Sequence, residues 1–417
     1  MKKLWKTMTA LGCAAAVSAQ ILPLTAFAIE PTQVHVLALG DEGLASAADT
    51  SAASYVADYL GATLSDYTQT GKKASDLLTE VESDAALQAD LVQADVILLS
   101  VGVNDLAAPI LYENADLLDA SRYTSLDDMV NALSTSSALL LNDRLAASMP
   151  AIVESANQSI EALVQAIYQK NTSADIIIQT VSNPLAVEFT KINASENRRW
   201  AFHQLYEYME VYLNGGKTTN NAVIAEGVNQ KIKSLPHVSV SDFHDAFVGA
   251  DGEEALGFYL TNIASLDMRF TEIGKLVAAA SALDAAGLTV GNGSVLADAY
   301  AATGENATLP ALRASLDSVI QTAAGNAQTV YALGDVNADA AVTLDDAFLT
   351  LQQYAYSAAG GKHILQPAQR RAADADNDGK LSMDDAFLWL QYYSMCAAGQ
   401  DVDLEAFLVK NGRNWAQ

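Results

Sequence analysis

Cysteine is almost absent from this chain, with 2 among 417 residues. Cys13 lies in an N-terminal segment that we expect to be removed, so Cys396 has no intrachain partner and a disulfide framework is excluded. Basic residues are also few, with 23 Lys and Arg against 50 Asp and Glu and a formal net charge of -27. Because phosphate groups bind to clustered Lys and Arg, this balance argues against nucleic acid or an anionic membrane surface as partner.

What is abundant is apolar sequence, at 51% of the residues, enough for two or three ordinary domains. At the N-terminus three lysines precede an apolar stretch over residues 7–24, and Ala26-Phe27-Ala28 fits a small-x-small cleavage site. Gln20 and Pro23 interrupt that stretch, which makes it too short for a membrane anchor, and no later segment is long and apolar enough to span a bilayer. We predict that residues 1–28 are a signal peptide and that the mature protein is secreted and extracellular.

Apolar runs alternate with helical patterns along the first two thirds of the chain. Four runs read as strands: Val34–Leu39, Val96–Val101, Ile176–Val181 and His237–Ser241. Helical spacing lies between them, at Ala74–Leu91, Ala151–Gln169 and Arg198–Leu213, and residues 107–149 read as a helical insertion that roofs or lines a pocket. This alternation predicts an α/β domain over residues 30–286, a parallel sheet with helices on both faces and ligands beyond the carboxyl ends of the strands.

The last third begins with a change in composition and then repeats itself. Residues 287–332 are rich in Ala, Gly, Thr and Asn, which is typical of a linker with some helix. The segment that begins at Asp335 then returns at Asp374, 39 residues later, with the same spacing of acidic and apolar residues. So close a repeat indicates one supersecondary unit used twice.

Each copy has the pattern of a twelve-residue calcium loop. Oxygen ligands are expected from side chains at positions 1, 3, 5 and 12, from the carbonyl of position 7 and, through water, from the hydroxyl of position 9. In that order of position the predicted ligands are Asp335, Asn337, Asp339, Ala341, Thr343 and Asp346 in the first loop, and Asp374, Asp376, Asp378, Lys380, Ser382 and Asp385 in the second. The sequence therefore predicts two Ca²⁺ sites.

The two loops differ at position 6, where the turn favours glycine. The second loop has Gly379 there, whereas the first has Ala340. Because a Cβ is unfavourable at positive φ, by about 1 kcal/mol, we predict that the first site binds Ca²⁺ more weakly. We also expect Val342 and Leu381 at position 8 to pack inward, and the helix beginning near position 12 to bury Phe348 or Phe387.

A loop followed by a helix, used twice, with Asp at position 12, resembles a type I dockerin over residues 333–398. The resemblance implies a small all-α module that needs calcium and binds a cohesin on a scaffoldin, as in a cellulosome; residues 399–417 would be a C-terminal tail. In that family, positions 10 and 11 and the following helix contact the cohesin. Here these are Leu344, Asp345 and Phe348 in the first half and Met383, Asp384 and Phe387 in the second, with Leu351 and Leu390 as further helix candidates. The alternative is that most of the apolar ones are core residues.

The larger domain resembles the SGNH (GDSL-type) hydrolases in four blocks. Leu39-Gly40-Asp41-Glu42 is similar to their first block, the stretch from Asp66 to Gly71 to their second, Val101-Gly102-Val103-Asn104-Asp105 to their GxND block, and the stretch from Asp267 to Gly274 to their last. The resemblance spans about residues 34–285 and implies a flavodoxin-like, three-layer α/β fold. It also implies that Gly71 and Asn104 donate to an oxyanion and that Asp267 orients a catalytic histidine.

Two members of that catalytic set are replaced. Glu42 stands at the serine position and Arg269 at the histidine position. Glutamate has no hydroxyl to activate, and the arginine pKa is too high for a base. We therefore predict a degenerate site in which Glu42 and Arg269 form an ion pair and the Glu42 carboxylate accepts the oxyanion-hole donors.

Alternatives remain for the site and for the function. Glu42 as an exposed loop acid and Arg269 as a surface cation is one alternative; His244, beside Asp242 and Asp245, as a different base is another. The first functional hypothesis is a secreted interaction protein, docked onto a scaffoldin and able to bind acylated plant polysaccharide or another partner. The second is an active acylhydrolase or carbohydrate esterase that deacylates plant cell-wall polysaccharide through a rearranged site.

Overall fold

The computed structural model describes residues 33–45, 50–111, 114, 116–247, 256–287, 311, 314–315, 318, 331–361 and 363–413. The predicted signal peptide and most of the predicted linker lie outside these ranges. The chain divides into two compact units: Gln33–Gln328, here called the N-terminal unit, and one that includes Thr329–Gln417, here called the C-terminal unit.

The N-terminal unit is built on a five-stranded parallel sheet. Its strands are β1 His35–Gly40, β2 Thr63–Thr68, β3 Val96–Ser100, β4 Asp175–Gln179 and β7 Ser239–Ser241, in the order β2-β1-β3-β4-β7. The short strands β5 Gly216–Lys217 and β6 Val223–Ile224 form a separate antiparallel pair. Counted along the chain, the sheet order is 2-1-3-4-5, which is flavodoxin-like. The predicted α/β class with a parallel sheet is confirmed.

Ten helices of this unit lie in the described ranges, together with four 3₁₀ turns. They are α1 Ala52–Leu60, α2 Ala74–Ser83, α3 Ala85–Gln93, α4 Val103–Leu111, α5 Leu126–Ala132, α6 Thr135–Lys170, α7 Glu196–Asn214, α8 Val228–Ser234, α9 Gly257–Leu260 and α10 Glu272–Ala286. The single helix predicted at Ala74–Leu91 is two, because the Asp84 carboxylate caps α3 by accepting the N–H groups of Ala86 and Leu87. None of the described helices has the length and apolarity that crossing a membrane requires.

Strand β2 was not predicted, because its sequence contains no apolar run. It lies at the edge of the sheet, pairs only with β1 among the described strands, and its side chains are half-buried or exposed. An edge strand that is partly exposed to solvent lacks the continuous run of hydrophobic residues that is typical of a central parallel strand. Its consequence is functional, since the loop after β2 carries Gly71.

The sheet separates two hydrophobic cores. Leu37, Leu39 and Ile97 face one core, which α2, α3, α6, α7 and α8 cover, while Val36, Ala38 and Val96 face the other, beneath α1 and α10. This alternation follows from the two-residue period of a strand. The insertion predicted at residues 107–149 is helical and contributes several apolar side chains to the first core; its role over a pocket stays a prediction.

The described residues of the C-terminal unit form four helices and the loops before, between and after them. Its helices are α11 Leu344–Ala358, α12 Pro367–Ala373, α13 Met383–Ala397 and α14 Leu404–Lys410. Val342 packs with Trp389 in one small core, and Leu381 packs with Val336 in another, so both position-8 residues point inward as expected. α11 and α13 pack against each other and both begin at loop position 10, two residues earlier than predicted.

The prediction that these helices bury Phe348 or Phe387 is wrong. The two side chains are 62% and 64% exposed. Positions 13 and 16 face inward instead, since residues three apart share a helix face. The buried residues of the two helices are Asp346, Ala347, Thr350, Gln353, Asp385, Ala386 and Trp389.

The segment expected to be a tail at residues 399–417 is structured in part. It contains α14, whose Phe407 and Leu408 are buried in the same core as Trp389. The compact C-terminal structure therefore extends to at least Arg413, beyond the predicted limit at residue 398.

Candidate functional site

The first candidate site begins at the end of β1, where Gly40 lies close to the end of β3. Gly40 ends β1 at φ 137°, and a Cβ there would lie 2.0 Å from the Ser100 carbonyl oxygen, so only glycine fits. The next residue, Asp41, donates its N–H to the same carbonyl at 2.9 Å. This close approach directs the following turn, and with it Glu42, over the carboxyl ends of the strands.

The Glu42 carboxylate is held by both predicted oxyanion-hole donors. Its Oε1 accepts the Gly71 N–H at 2.9 Å, and its Oε2 accepts the Asn104 amide at 2.5 Å. Asn104 also donates to the Lys72 carbonyl at 3.1 Å, which fixes the amide between two loops. Glu42 is only 5% exposed, so the alternative of an exposed loop acid does not hold. Three strand-end loops thus meet around one carboxylate.

The predicted ion pair between Glu42 and Arg269 is wrong, because Arg269 pairs with Asp267. Arg269 Nε lies 2.9 Å from Asp267 Oδ1, and Nη2 lies 2.6 Å from Oδ2. The same carboxylate accepts the Arg269 backbone N–H at 2.9 Å, so a local turn sets the pairing. Hydrogen bonding to Asp267 raises the pKa of Arg269, and the Glu42 charge adds to the shift. The residue expected to orient a histidine therefore holds an arginine.

Asp41, which the sequence analysis did not single out, lies directly beneath the site. Its Oδ1 accepts the Ser100 hydroxyl at 2.6 Å and the Gly43 N–H at 3.1 Å, while its buried Oδ2 has no hydrogen-bond partner among the described residues. Burial raises the pKa of Asp41 to about 7, and the neighbouring charge of Glu42 acts in the same direction. Its place before Glu42 was visible in the sequence, but its burial was not.

Replacing Asp41 by Asn should remove a pH dependence of stability from the N-terminal unit. Between the ordinary pKa of 3.8 and the folded value of about 7, the folded state keeps a proton that the unfolded chain has lost. The free energy of unfolding therefore falls as pH rises through this window. Compared with the native protein, Asp41→Asn should gain stability from about pH 5 to about pH 8, measured by urea unfolding. The exposed Asp58→Asn is the control; a parallel pH profile for Asp41→Asn would contradict the assignment.

His244, the alternative base, is engaged elsewhere. Its Nε2 lies 3.2 Å from Glu210 and its Nδ1 lies 3.3 Å from Asp245. Burial lowers the pKa of His244, but the hydrogen bonds to Glu210 and Asp245 and the charges of both carboxylates together outweigh it, and the net shift is upward. Since both ring nitrogens have carboxylate partners, the described contacts give His244 a structural role.

The second candidate site is the pair of acidic loops, and both are closed in the same way. In the second loop Asp385 Oδ1 accepts the Ala375 N–H and Oδ2 accepts the Ser382 N–H, each at 2.8 Å. In the first loop Asp346 makes the same two bonds to positions 2 and 9, each at 2.7 Å. The position-12 carboxylate thus joins the start and the end of each loop.

The second loop also gathers its carboxylates as a cation site would. One oxygen each from Asp374, Asp376 and Asp378 lie within 4.8 Å of one another. Burial raises the pKa of Asp374 to about 8, and the charges of Asp385 and Asp376 add to it. A cluster of oxygen donors that repel one another suits a hard divalent cation.

The position-9 hydroxyls have an additional role that the sequence analysis missed. Ser382 accepts the Asp384 N–H and donates to Asp385, so it caps α13, and Thr343 caps α11 in the same manner. A Ser or Thr three residues before an acid is the capping-box pattern and was legible in the sequence.

Positive φ angles distinguish the two loops. At positions 4 and 6 the first loop has Ala338 at φ 57° and Ala340 at φ 68°, where the second has Asn377 at φ 61° and Gly379 at φ 77°. Asparagine and glycine tolerate this region and alanine does not, so the first loop carries backbone strain that the second avoids.

Ala340→Gly should tighten calcium binding at the first loop by roughly fivefold, the equivalent of about 1 kcal/mol of relieved strain. The reverse change, Gly379→Ala, should weaken the second loop by a similar factor. Both are measured by calorimetric titration of the full chain with Ca²⁺, using Asp374→Asn to assign the second site. Equal affinities of the two loops in the native protein would contradict the prediction.

The predicted partner-binding residues lie on exposed faces. Phe348 and Phe387 are the most exposed of the apolar ones, and Leu344 and Met383 are 51% and 58% exposed. Asp345 and Asp384 are exposed beside them, and Leu351 and Leu390 are 40% and 38% exposed. The two halves therefore present matching apolar residues outside the core.

Comparison with known proteins gives weak similarities. No protein-family model and no curated protein matches the chain. Among solved structures it is similar to a lipase from a goat rumen metagenome (14% identity, 61% of this chain, 97% of the other, TM-score 0.34). It is also similar to a putative GDSL-like lipase from Parabacteroides merdae (14% identity, 63% of this chain, 99% of the other, TM-score 0.35). A third similar structure is a carbohydrate esterase family 3 protein from Talaromyces cellulolyticus (11% identity, 60% of this chain, 94% of the other, TM-score 0.25).

Proposed function

We propose that the protein is a secreted, scaffoldin-bound component whose SGNH-like domain no longer hydrolyses esters. The single observation that carries the proposal is the position of the Glu42 carboxylate, on both donors that the family motif assigns to the oxyanion. A site whose donors already bind an internal anion cannot stabilise the anionic intermediate of acyl transfer. The domain would then act by binding, with acylated plant polysaccharide as the candidate ligand.

The chemistry around Glu42 supports this reading at each position. Acyl transfer needs a nucleophile, a base that takes its proton and a group that orients the base. Glu42 has no hydroxyl, Arg269 cannot accept a proton, and Asp267 is engaged by the Arg269 guanidinium. No described contact brings His244 to Glu42 as a replacement base.

For the C-terminal unit we propose a calcium-dependent dockerin that binds a cohesin. The equivalent closure of both loops, the clustered carboxylates of the second and the matching exposed residues Phe348 and Phe387 support this proposal. Asp335, Asn337, Asp339 and Asp346 would hold one Ca²⁺, and Asp374, Asp376, Asp378 and Asp385 the other. A bound Ca²⁺ supplies positive charge that offsets the repulsion among these acids.

Two measurements test the proposal. The first compares ester hydrolysis by the native protein with hydrolysis by the double variant Glu42→Ser/Arg269→His, and the second compares cohesin capture with and without calcium. Hydrolysis by the native protein would instead favour the alternative, an active carbohydrate esterase. Cohesin capture that persists in a chelator would remove calcium from the proposal.

A further inference from the structure

We propose that each calcium loop is held in its binding conformation by a side chain that donates a hydrogen bond to the carbonyl of position 2, a contact here called the brace. In the second loop this side chain is Arg413. The inference rests on the proposed calcium function and adds a positioning residue from outside the loops. Arg413 Nη1 donates to the Ala375 carbonyl at 2.9 Å and to the Asp374 carbonyl at 2.6 Å. These are positions 2 and 1 of the second loop.

The first loop has the same brace from a different element. Gln369 Nε2, on α12, donates to the Val336 carbonyl at 2.9 Å, and Val336 is position 2 of the first loop. Gln369 and Arg413 are 44 residues apart, not the 39 of the repeat, so the sequence alignment of the two halves does not pair them. The two side chains therefore bind the equivalent carbonyl of each loop, although they do not occupy equivalent positions of the repeat.

The brace acts on a residue that is already held from its other side. The Ala375 N–H donates to Asp385 at 2.8 Å while its carbonyl accepts Arg413, so both hydrogen-bonding groups of this residue are fixed. Val336 is held identically, between Asp346 at 2.7 Å and Gln369. Fixing position 2 sets the direction in which the chain leaves Asp335 or Asp374, the first ligand of each loop.

Arg413 is itself positioned by the segment that was expected to be a tail. Its backbone N–H donates to the Leu408 carbonyl at 3.0 Å, and Leu408 is 1% exposed in the core with Trp389 and Ala375. Tyr392 packs against Phe407, with ring centroids 5.5 Å apart. Apolar contacts thus hold α14 in place, and Arg413, just after α14, connects this helix to the second calcium loop through its hydrogen bonds.

Arg413 acts through geometry more than through charge. A cation beside the acids of the second loop opposes Ca²⁺ by repulsion, so charge alone would make Arg413 lower the calcium affinity. Two hydrogen bonds from a charged donor to one short stretch of backbone restrict the loop before the ion arrives, which raises the affinity. We expect the second effect to be larger, because both bonded carbonyls belong to the first ligand and its neighbour.

The test is calorimetric titration of the full chain with Ca²⁺. Arg413→Met should weaken the second site roughly tenfold and leave the first within about twofold, whereas Gln369→Met should weaken the first and spare the second. Arg413→Lys keeps the charge, but its Nζ is one bond nearer the backbone than the Nη1 that makes both hydrogen bonds, so it should resemble Arg413→Met. Lys410→Met, an exposed cation of the same segment, is the matched control and should change neither site.

The outcomes separate this inference from the one on which it rests. No binding of Ca²⁺ by the native chain, or titration unchanged by Asp374→Asn, would overturn the calcium proposal itself. Normal binding with an unchanged or tightened second site in Arg413→Met would overturn the brace alone. Circular dichroism at saturating Ca²⁺ shows whether each variant is folded; if Arg413→Met is not, native-like affinity in Arg413→Lys would equally overturn the brace.

Discussion

The native protein should hydrolyse neither 4-nitrophenyl acetate nor acetylated xylan, whereas the double variant Glu42→Ser/Arg269→His should hydrolyse both. Glu42→Ser frees the Gly71 and Asn104 donors and supplies a hydroxyl at the same place. Arg269→His puts an imidazole beside Asp267, which already contacts the backbone and side chain of residue 269. We expect the double variant to exceed the native rate by at least about 10²-fold, the smaller end of what a positioned general base contributes.

The single variants and one donor variant make this result specific. Glu42→Ser alone lacks a base and Arg269→His alone lacks a nucleophile, so each should remain near the native rate. Adding Asn104→Ala to the double variant should reduce its rate, by roughly 10²-fold, if the amide stabilises an oxyanion. Hydrolysis by the native protein that disappears in Glu42→Ala would reject the degenerate site and establish the esterase alternative.

Removing calcium should unfold much of the C-terminal unit and abolish cohesin binding. Without the ion, Asp374, Asp376 and Asp378 have carboxylate oxygens within 4.8 Å of one another, and the backbone donors and the nearby Arg413 charge still leave the pKa of Asp374 raised. In a chelator, amide hydrogen exchange measured by mass spectrometry should accelerate across residues 331–413 and stay unchanged across the N-terminal unit. Capture on immobilised type I cohesins should fall by at least about 100-fold and return when Ca²⁺ is restored.

The controls separate loss of the ion from loss of charge. Asp374→Asn should reproduce much of the chelator effect in the presence of Ca²⁺, whereas Asp401→Asn, an exposed acid outside the loops, should not. Phe348→Ala combined with Phe387→Ala should reduce cohesin capture without changing hydrogen exchange, because both side chains are exposed. Exchange at residues 331–413 that is insensitive to the chelator would contradict a structural role for calcium.

Local sequence patterns predicted most strands of the sheet, and the predictions that were wrong have identifiable physical causes. Continuous apolar runs marked β1, β3 and β4, since both faces of a central parallel strand are buried, whereas the edge strand β7 was marked only by the alternating segment His237–Ser241. Edge strand β2 left no such run. The inward faces of α11 and α13 were misjudged because they include positions 13 and 16, whereas the Phe at position 14 lies beside that face. The partner of Arg269 was misjudged because the resemblance led us to expect Glu42, whereas a local turn places the Asp267 carboxylate against the backbone and side chain of Arg269.

The sequence by itself determined the class of the fold, the repeat and the spacing of the candidate calcium ligands, because strand alternation and loop positions are periodic properties of neighbouring residues. The resemblance predicted that Glu42 binds both donors, and the tertiary structure shows these contacts. Only the tertiary structure decided that Asp41 is buried beneath Glu42 and that Arg413 reaches the second loop. Each of these depends on segments distant in the chain, separated by 29 residues for Glu42 and Gly71, 59 for Asp41 and Ser100, and 38 for Ala375 and Arg413. Packing of β1 against β3, and of α14 against Trp389, brings those segments together, and no local pattern encodes such contacts.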